Sequence, residues 1–424
     1  MAPRRLASQT FIAGTFPAAA FLAPQLAEAW TALVRYDALR LPLDHPGRLL
    51  SEYFRARRRS SLGDSVTLAN ALGERCDTVF LVAAPAEIAD CEAVIGAAAH
   101  PLHNLLRGNQ RGGRPRVIFL EPTLDTDLLQ GAIDLVRRVG EGIEVHDRWA
   151  LIVVAPGDSG DTTELRRDLR EAAAPLVEQL RETVAGDDEL RARLIVLDES
   201  TERACELVAA GTPFHTLALP RRASLLDGPA MFVSALVGAD SISQLKGAVW
   251  FWETEKVKLA HESRVVALAE FLARRGCRIA AWHHALEPLG HRLVELGSIP
   301  VLAGYSHAGR RTLAADGDRP TLHLWSDAVR RDPLNAASLD ETEPRLVADA
   351  LRARYAALSA ATANTDAVIQ VTRLHDIAVG ELCQWFSAVR LLKRIAASRP
   401  EEIEPQRHRG TERTEGEEED GKKE

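Results

Sequence analysis

The chain has 424 residues, 46% of them hydrophobic, and a formal net charge of −8 at pH 7. That length supports two domains with a core each, the mild acidity without a basic stripe speaks against a nucleic-acid partner, and the lack of any apolar run of about 18 residues speaks against a membrane span. Five scattered cysteines, Cys76, Cys91, Cys205, Cys277 and Cys383, show no CxxC pair, which predicts a reduced, cytoplasmic protein without a cysteine-built metal site, Cys277 and Cys383 filling core space.

In chain order, Arg4 and Arg5 precede a small apolar stretch that Thr15 and Pro17 interrupt, so the start does not read as an export signal. Residues 1–72 are predicted to be a helical segment lying over the core, with spaced apolar positions at 26–36 and 49–57. From 73 to 240 short β-branched runs, 78–83, 116–120, 150–154, 193–197 and 214–219, alternate with helical stretches. Such alternation predicts a parallel, doubly wound sheet. Residues 241–398 hold linker helices, with Trp250, Phe251 and Trp252 in a helix-rich connection over 229–275, and then a second round of runs at 278–282, 300–303, 321–325 and 367–371. A helix over 377–397 closes it. The tail 399–424, with ten acidic and six basic residues, cannot bury enough surface to offset ordering and is predicted to be disordered.

One segment stands out chemically. APGDSGDTTE, 155–164, follows the apolar run 150–154 and opens a helical pattern. Free N–H groups at the helix start, its positive dipole end, Gly160 and the hydroxyls of Ser159, Thr162 and Thr163 together make an anion cradle suited to a sugar phosphate. The same letters also fit a capping box, with Ser159 or Asp161 as N-cap and Glu164 reaching back. Both readings stand at the level of sequence.

Several further stretches occur in a telling order: HPLHNLLRGNQRGGRPRVIFLEP at 100–122, TDLLQGAIDLV at 126–136, SGDTTE at 159–164, PRRASLLDGPAMFVSALVGAD at 220–240 and ALEPLGHRLVE at 285–295. Over 78–397 the chain thereby resembles a divergent member of the glucose-6-phosphate isomerase (phosphoglucose isomerase) family. The resemblance implies an α/β fold of two tandem doubly wound parallel-sheet SIS domains, 73–240 and 241–398. It also implies aldose–ketose interconversion of glucose 6-phosphate and fructose 6-phosphate, a reaction of glycolysis and gluconeogenesis, by proton transfer between C1 and C2 without metal or organic cofactor. By the same resemblance Ser159, Gly160, Thr162 and Thr163 bind the substrate phosphate and Arg222 faces the enediolate. Glu295, one residue before the family's glutamate position, is the base, and His307 serves ring opening. Members of the family are commonly dimers whose site borrows a histidine from the neighbour, so a homodimer is implied.

The departures from the family pattern point the other way. Its first glycine-rich phosphate loop is matched here by Ala83, Ala84, Pro85, Ala86 and Glu87, its loop lysine by Asp158, and its C-terminal lysine by Gln384. A proline removes an N–H, two carboxylates repel a phosphate, and an amide transfers no proton. Since losing one acid/base group costs about 10² to 10⁴ in rate, the resemblance implies impaired activity. The alternative is an inactive SIS-fold pseudoenzyme that binds a sugar phosphate or a protein partner.

Overall fold

The computed structural model describes residues 12–17, 24–39, 61–122, 125–139, 148–156, 162–198, 200–218, 225–226, 228–274, 276–294, 301–303, 306–315, 319–327, 356 and 366–397. The strands in it are β1 (Ile12–Thr15), β2 (Thr78–Val82), β3 (Arg116–Leu120), β4 (Trp149–Val154), β5 (Leu194–Asp198), β6 (His215–Ala218), β7 (Arg278–Ala281), β8 (Val301–Ala303), β9 (Thr321–Ser326) and β10 (Ala367–Val371). The helices used below are α1 (Pro24–Leu39), α2 (Ser61–Arg75), α3 (Pro85–Ala98), α4 (Thr126–Val139), α5 (Thr163–Thr183), α6 (Asp187–Arg193), α7 (Gly228–Leu236), α8 (Ser241–Glu255), α9 (Arg264–Phe271), α10 (Glu287–Val294), α11 (His307–Ala315) and α12 (Asp376–Ala397).

The first sheet has the order β3-β2-β4-β5-β6 and is parallel throughout. Every residue of β2, TVFLV, and of β4, WALIVV, is buried, as helices on both faces of a parallel sheet require. The second sheet has the order β1-β10-β9-β7-β8. Its four parallel strands repeat the first sheet's pattern position for position, with β7 in the place of β2 and β9 in the place of β4. The alternating runs therefore form the predicted pair of α/β units.

The fifth place differs. In the first sheet it belongs to β6, whereas in the second it is filled by β1, antiparallel to β10. The amino-terminal region is thus more than a helical cover, since residues 12–15 complete the second sheet. Its α1 coincides with the helix expected at 26–36, while the stretch 49–57 and the tail 399–424 lie outside the described residues. Four residues, IAGT, two of them small, carry little strand signal of their own; distant groups fix them. Arg264 Nη1 donates to the Ile12 carbonyl at 2.8 Å, and the same guanidinium donates from Nε to the fully buried Glu255 carboxylate at 2.6 Å. Glu255 also accepts from Lys258 Nζ at 2.6 Å and from the Arg264 backbone N–H at 2.9 Å. That many partners make a buried charge tolerable.

One continuous core links the two sheets through α3, α7, α8 and α12, and a second lies between the first sheet and α5. Where α8 crosses α12 the backbones touch: a Cβ on Gly247 would strike the Ile377 carbonyl, and one on Gly380 the Gln244 carbonyl. Backbone on both sides of each contact leaves no flexible atom to yield. Gly380→Ala should therefore destabilise the chain by about 1–3 kcal/mol, read as a lower urea midpoint, and an unchanged midpoint would refute this packing.

The cysteines behave as expected for core fillers. Cys76, Cys91, Cys277 and Cys383 are buried and Cys205 is exposed. Burial pushes the Cys76 thiol up to about 12 and the Cys277 thiol up to about 11, and raises Cys383 as well. Since the thiolate is the reactive form, a maleimide should label one site on the native chain, and Cys205→Ser should abolish the labelling.

Candidate functional site

A doubly wound sheet receives ligands in the crevice outside the carboxyl ends of its strands, where the strand order reverses. In the first sheet that point lies between β2 and β4. Two helices start there, α3 after Ala83 and Ala84, and α5 after Ala155, Pro156 and the 157–161 segment.

The two starts are chemically unlike. At α3 the N-cap is Ala84, which has no side chain to cap with; Pro85 removes an N–H and Glu87 sets a carboxylate in the first turn. That end favours no anion. At α5 the N-cap is Thr162, whose hydroxyl makes no capping bond, while its carbonyl accepts from Arg166 N–H at 2.9 Å. With Thr162 at N-cap the third helical residue is Leu165, and Ser159 and Asp161, the N-caps expected from sequence, lie outside the described residues. Three other helix starts carry a side-chain cap, Asp240 holding Ser243 N–H, Ser263 holding Val265 N–H and Ser306 holding Gly309 N–H, whereas α6 begins at Gly186 without one. Half-buried Thr162 and exposed Thr163 stand at this helix start, the positive end of its dipole. Ser159 and Gly160 lie outside the described residues.

Arg166 anchors this start. Buried in the second turn of α5, it forms a two-pronged pair with Asp198 at the carboxyl end of β5, at 3.0 and 3.3 Å. It also donates to the Arg203 carbonyl at 3.4 Å and faces Glu206 at 3.6 Å.

The second domain reaches the same crevice through α10. This helix packs on α3 with the two running in opposite directions: Gly96, near the end of α3, faces Pro288 at the start of α10, and Asp90, near the start of α3, accepts from Arg292 Nε at 2.6 Å near the end of α10. Arg390 of α12 approaches the same Asp90 oxygen at 3.7 Å. The last residue of α10, Val294, thus ends beside the first turn of α3. Glu295 is the next residue in the sequence and lies outside the described residues, as does Arg222. The chain re-emerges after Arg222 at Leu225, whose N–H donates to Ser387 Oγ of α12 at 2.9 Å. One turn back on that face is Gln384, buried, its carbonyl oxygen without a hydrogen-bond partner among the described residues.

His307 is elsewhere. It is the first residue of α11, after β8 at the carboxyl edge of the second sheet, whereas α10 leaves that edge at its own start and ends away from it. Eight helical residues span about 12 Å, so within one chain His307 and the end of α10 stand apart. At the matching point of the second sheet, between β7 and β9, His283 lies 5.0 Å from the Trp325 ring, and Trp325 meets Trp282. A cavity of about 150 Å³ lies between the domains at the other end of the α3–α10 pair, lined by His100, His103, His284 and Pro288 among others. Its groups are spent internally, His103 on the Pro115 carbonyl and Asn104 on both backbone groups of Val117.

Sequence reasoning missed Asp90, Arg292, Arg166 and Asp198. Asp90 and Arg292 are 202 positions apart and carry no local signal. Arg166 does carry one: a cation near a helix N-terminus opposes the dipole, so it needs a partner.

With this geometry in view, two solved structures are similar to the chain. A hypothetical protein from Thermus thermophilus matches with a TM-score of 0.59 at 17% identity, over 87% of this chain and 89% of that one. A glucose-6-phosphate isomerase from Chlamydia trachomatis matches with a TM-score of 0.56 at 11% identity, over 90% of this chain and 76% of that one. No protein-family model and no curated protein sequence gives a match. At such identities the likeness shows the fold: two α/β units in tandem, each built on a largely parallel sheet. No helix among the described residues is long and apolar enough to cross a membrane, and none of their acidic, histidine and cysteine side chains gather into a metal site.

The imidazoles set a pH dependence. Burial lowers His103, His215 and His283, although carbonyls of Pro115 and Ser326 and the charges of Asp64 and Asp327 pull the other way. His283 Nε2 is buried without a partner among the described residues, which suits a neutral ring. A lowered pKa means that the unfolded chain binds these protons more readily, so their stabilisation is present above pH about 6.5 and is lost as pH falls below it. The urea midpoint should be lower at pH 5.5 than at 7.5, and His283→Gln should narrow the difference.

Proposed function

We propose that the chain binds glucose 6-phosphate and fructose 6-phosphate in the first-sheet crevice and interconverts them at a depressed rate. The observation that carries this reading is the opposed packing of α3 and α10, which ends α10 beside the helix starts of the first switch point. In this reading the phosphate rests on the start of α5 with Ser159, Gly160, Thr162 and Thr163, and a sugar extending from it meets Glu295, the residue after α10. Glu295 takes the C2 proton of the aldose and returns it at C1; Arg222 stabilises the enediolate oxygen. The sugar chemistry itself comes by analogy with the fold and with the sequence resemblance.

His307 fits this scheme only from a second copy of the chain, because in its own chain it starts α11 away from the end of α10. A homodimer in which each copy offers His307 to the other's crevice is therefore part of the proposal. No metal or organic cofactor enters the chemistry.

A second reading, a pseudoenzyme that binds sugar phosphate without turnover, is favoured by Gln384. A neutral amide on the buried face of α12 can hold a hydroxyl but cannot carry a proton as an ammonium does.

A coupled assay on the purified chain decides between them. Slow conversion of fructose 6-phosphate that falls by about 10² or more in Glu295→Gln supports the first reading. Thermal stabilisation by fructose 6-phosphate without turnover supports the second, since a ligand selective for the native state raises its stability. Neither turnover nor stabilisation would remove both.

A further inference from the structure

The cavity of about 150 Å³ between the domains has a wall whose internal bonds leave one acceptor over. Its loop side, residues 103–106, is pinned to β3 and to the turn before it at three places. His103 Nε2 donates to the Pro115 carbonyl at 2.9 Å, Asn104 bonds both backbone groups of Val117 at 2.7 and 3.0 Å, and the Arg111 guanidinium takes the Leu106 carbonyl. A wall held in this way is preformed, so a ligand does not have to order it. Facing the loop are Ile95 and Gly96 of α3, Phe119 of β3, Val237 and, from the second domain, Pro288 of α10, all without polar side-chain atoms.

The bond to Pro115 fixes the state of His103. A carbonyl only accepts, so Nε2 carries the hydrogen, and in the neutral ring Nδ1 is a lone pair. Burial lowers the His103 pKa further than the Pro115 carbonyl raises it, and the Arg111 charge adds to the lowering, so the ring is neutral at pH 7. Nδ1 has no hydrogen-bond partner among the described residues. An acceptor set in a largely apolar lining selects by chemistry: a carboxylate or phosphate meets a lone pair, whereas an O–H or N–H completes the ring's hydrogen bonding. The Arg111 charge that bears on the ring disfavours a cation.

Apolar cavities of about 150 Å³ take a single aromatic ring. We propose that the interdomain cavity is a binding site for a small neutral aromatic molecule with one O–H or N–H donor, its ring against Ile95, Phe119, Val237 and Pro288 and its donor on His103 Nδ1. A molecule seated there touches both domains, so it stabilises their packing as it binds. The site lies at the opposite end of the α3–α10 pair from the first-sheet crevice and does not depend on the sugar chemistry proposed for that crevice.

Phenol and toluene, alike in shape and different in the donor, test it by ligand-observed NMR titration of the full chain, with benzoate as the anionic probe and circular dichroism melts on each variant. Phenol should bind the parent chain, and benzoate should bind more weakly than phenol. His103→Phe keeps a ring in the wall and removes the acceptor, so it should weaken phenol by about tenfold while changing toluene by less than about threefold. Ile95→Phe fills the space and should abolish the binding of both. A histidine that only pins the loop would move the melting temperature and leave the phenol-to-toluene ratio as it was. That unchanged ratio in His103→Phe, benzoate binding as tight as phenol, phenol binding retained in Ile95→Phe, or a parent chain that binds no phenol at millimolar concentration would each overturn the assignment. Should His103→Phe not fold, Ile95→Phe and the parent's preference for phenol over benzoate still decide.

Discussion

The packing of α3 against α10 in opposite directions is the constraint on which the arrangement of the molecule rests. Gly96 lets Pro288 approach, and Asp90 gathers Arg292 from α10 and Arg390 from α12 around one carboxylate. A carboxylate so placed loses hydration, and two guanidinium groups restore the interaction that water gave up. Because α3 descends from the carboxyl edge of the first sheet and α10 from that of the second, the two edges face opposite ends of the helix pair. Each switch point therefore meets the far end of the other domain's first helix. The repeated strand order β3-β2-β4-β5 and β8-β7-β9-β10 thus produces two crevices, and side chains decide which one can receive a ligand.

At the second crevice Trp325 meets Trp282 edge-on and His283 at a tilt, and Asp327 is taken up by Trp325 Nε1 at 3.1 Å and Gln370 Nε2 at 2.8 Å. At the first, the residues lining the strand ends are small, Ala83, Ala84 and Ala155, and neither N-cap residue, Ala84 or Thr162, makes a side-chain cap. Three helices that start away from this crevice have Asp240, Ser263 or Ser306 on a first-turn N–H group, and α6, which begins at Gly186, has no side-chain cap. Leaving a helix start uncapped costs roughly 1 kcal/mol; at a ligand crevice that cost coincides with a gain in anion binding. The two starts at the first crevice are not equivalent, since Pro85 removes an N–H and Glu87 sets a carboxylate in the first turn of α3.

Much of the scaffold was legible because parallel strands buried on both faces read as continuous apolar runs. The runs at 116–120 and 367–371 coincide with β3 and β10, and the others differ by a residue or two at their ends. The strand β1 was not legible: IAGT owes its place to Arg264 and to pairing with β10, more than 350 residues away. The site was legible only as a segment. The 155–164 stretch announced a helix start after a buried strand, but its cap fell on Thr162, where neither Ser159 nor Asp161 had been excluded by local chemistry. Asp90 with Arg292, and Arg166 with Asp198, join helices and strands that only the folded topology brings together. The burial of the Gln384 amide on the α12 face, one turn from Ser387, was not legible in the letters.

The inventory of charge around the first crevice bears on why binding would exceed turnover in the proposed function. Arg166 is committed to Asp198 and Arg292 to Asp90, so neither guanidinium adds net positive charge for a phosphate. Among the described residues, the attraction left to a phosphate is that of the α5 dipole, worth about 0.3–2 kcal/mol near a helix end, and the proposed function adds only Arg222, set on the enediolate. That is enough to orient an anion and too little to offset a missing ammonium in a proton transfer. Enediolate formation moves a full negative charge onto the sugar, and the transition state gains only from groups that respond to that charge. Gln384 offers a dipole where an ammonium would offer both charge and proton. In the proposed function the crevice would therefore hold the ground state nearly as well as the transition state, and binding of that kind lowers KM without raising kcat.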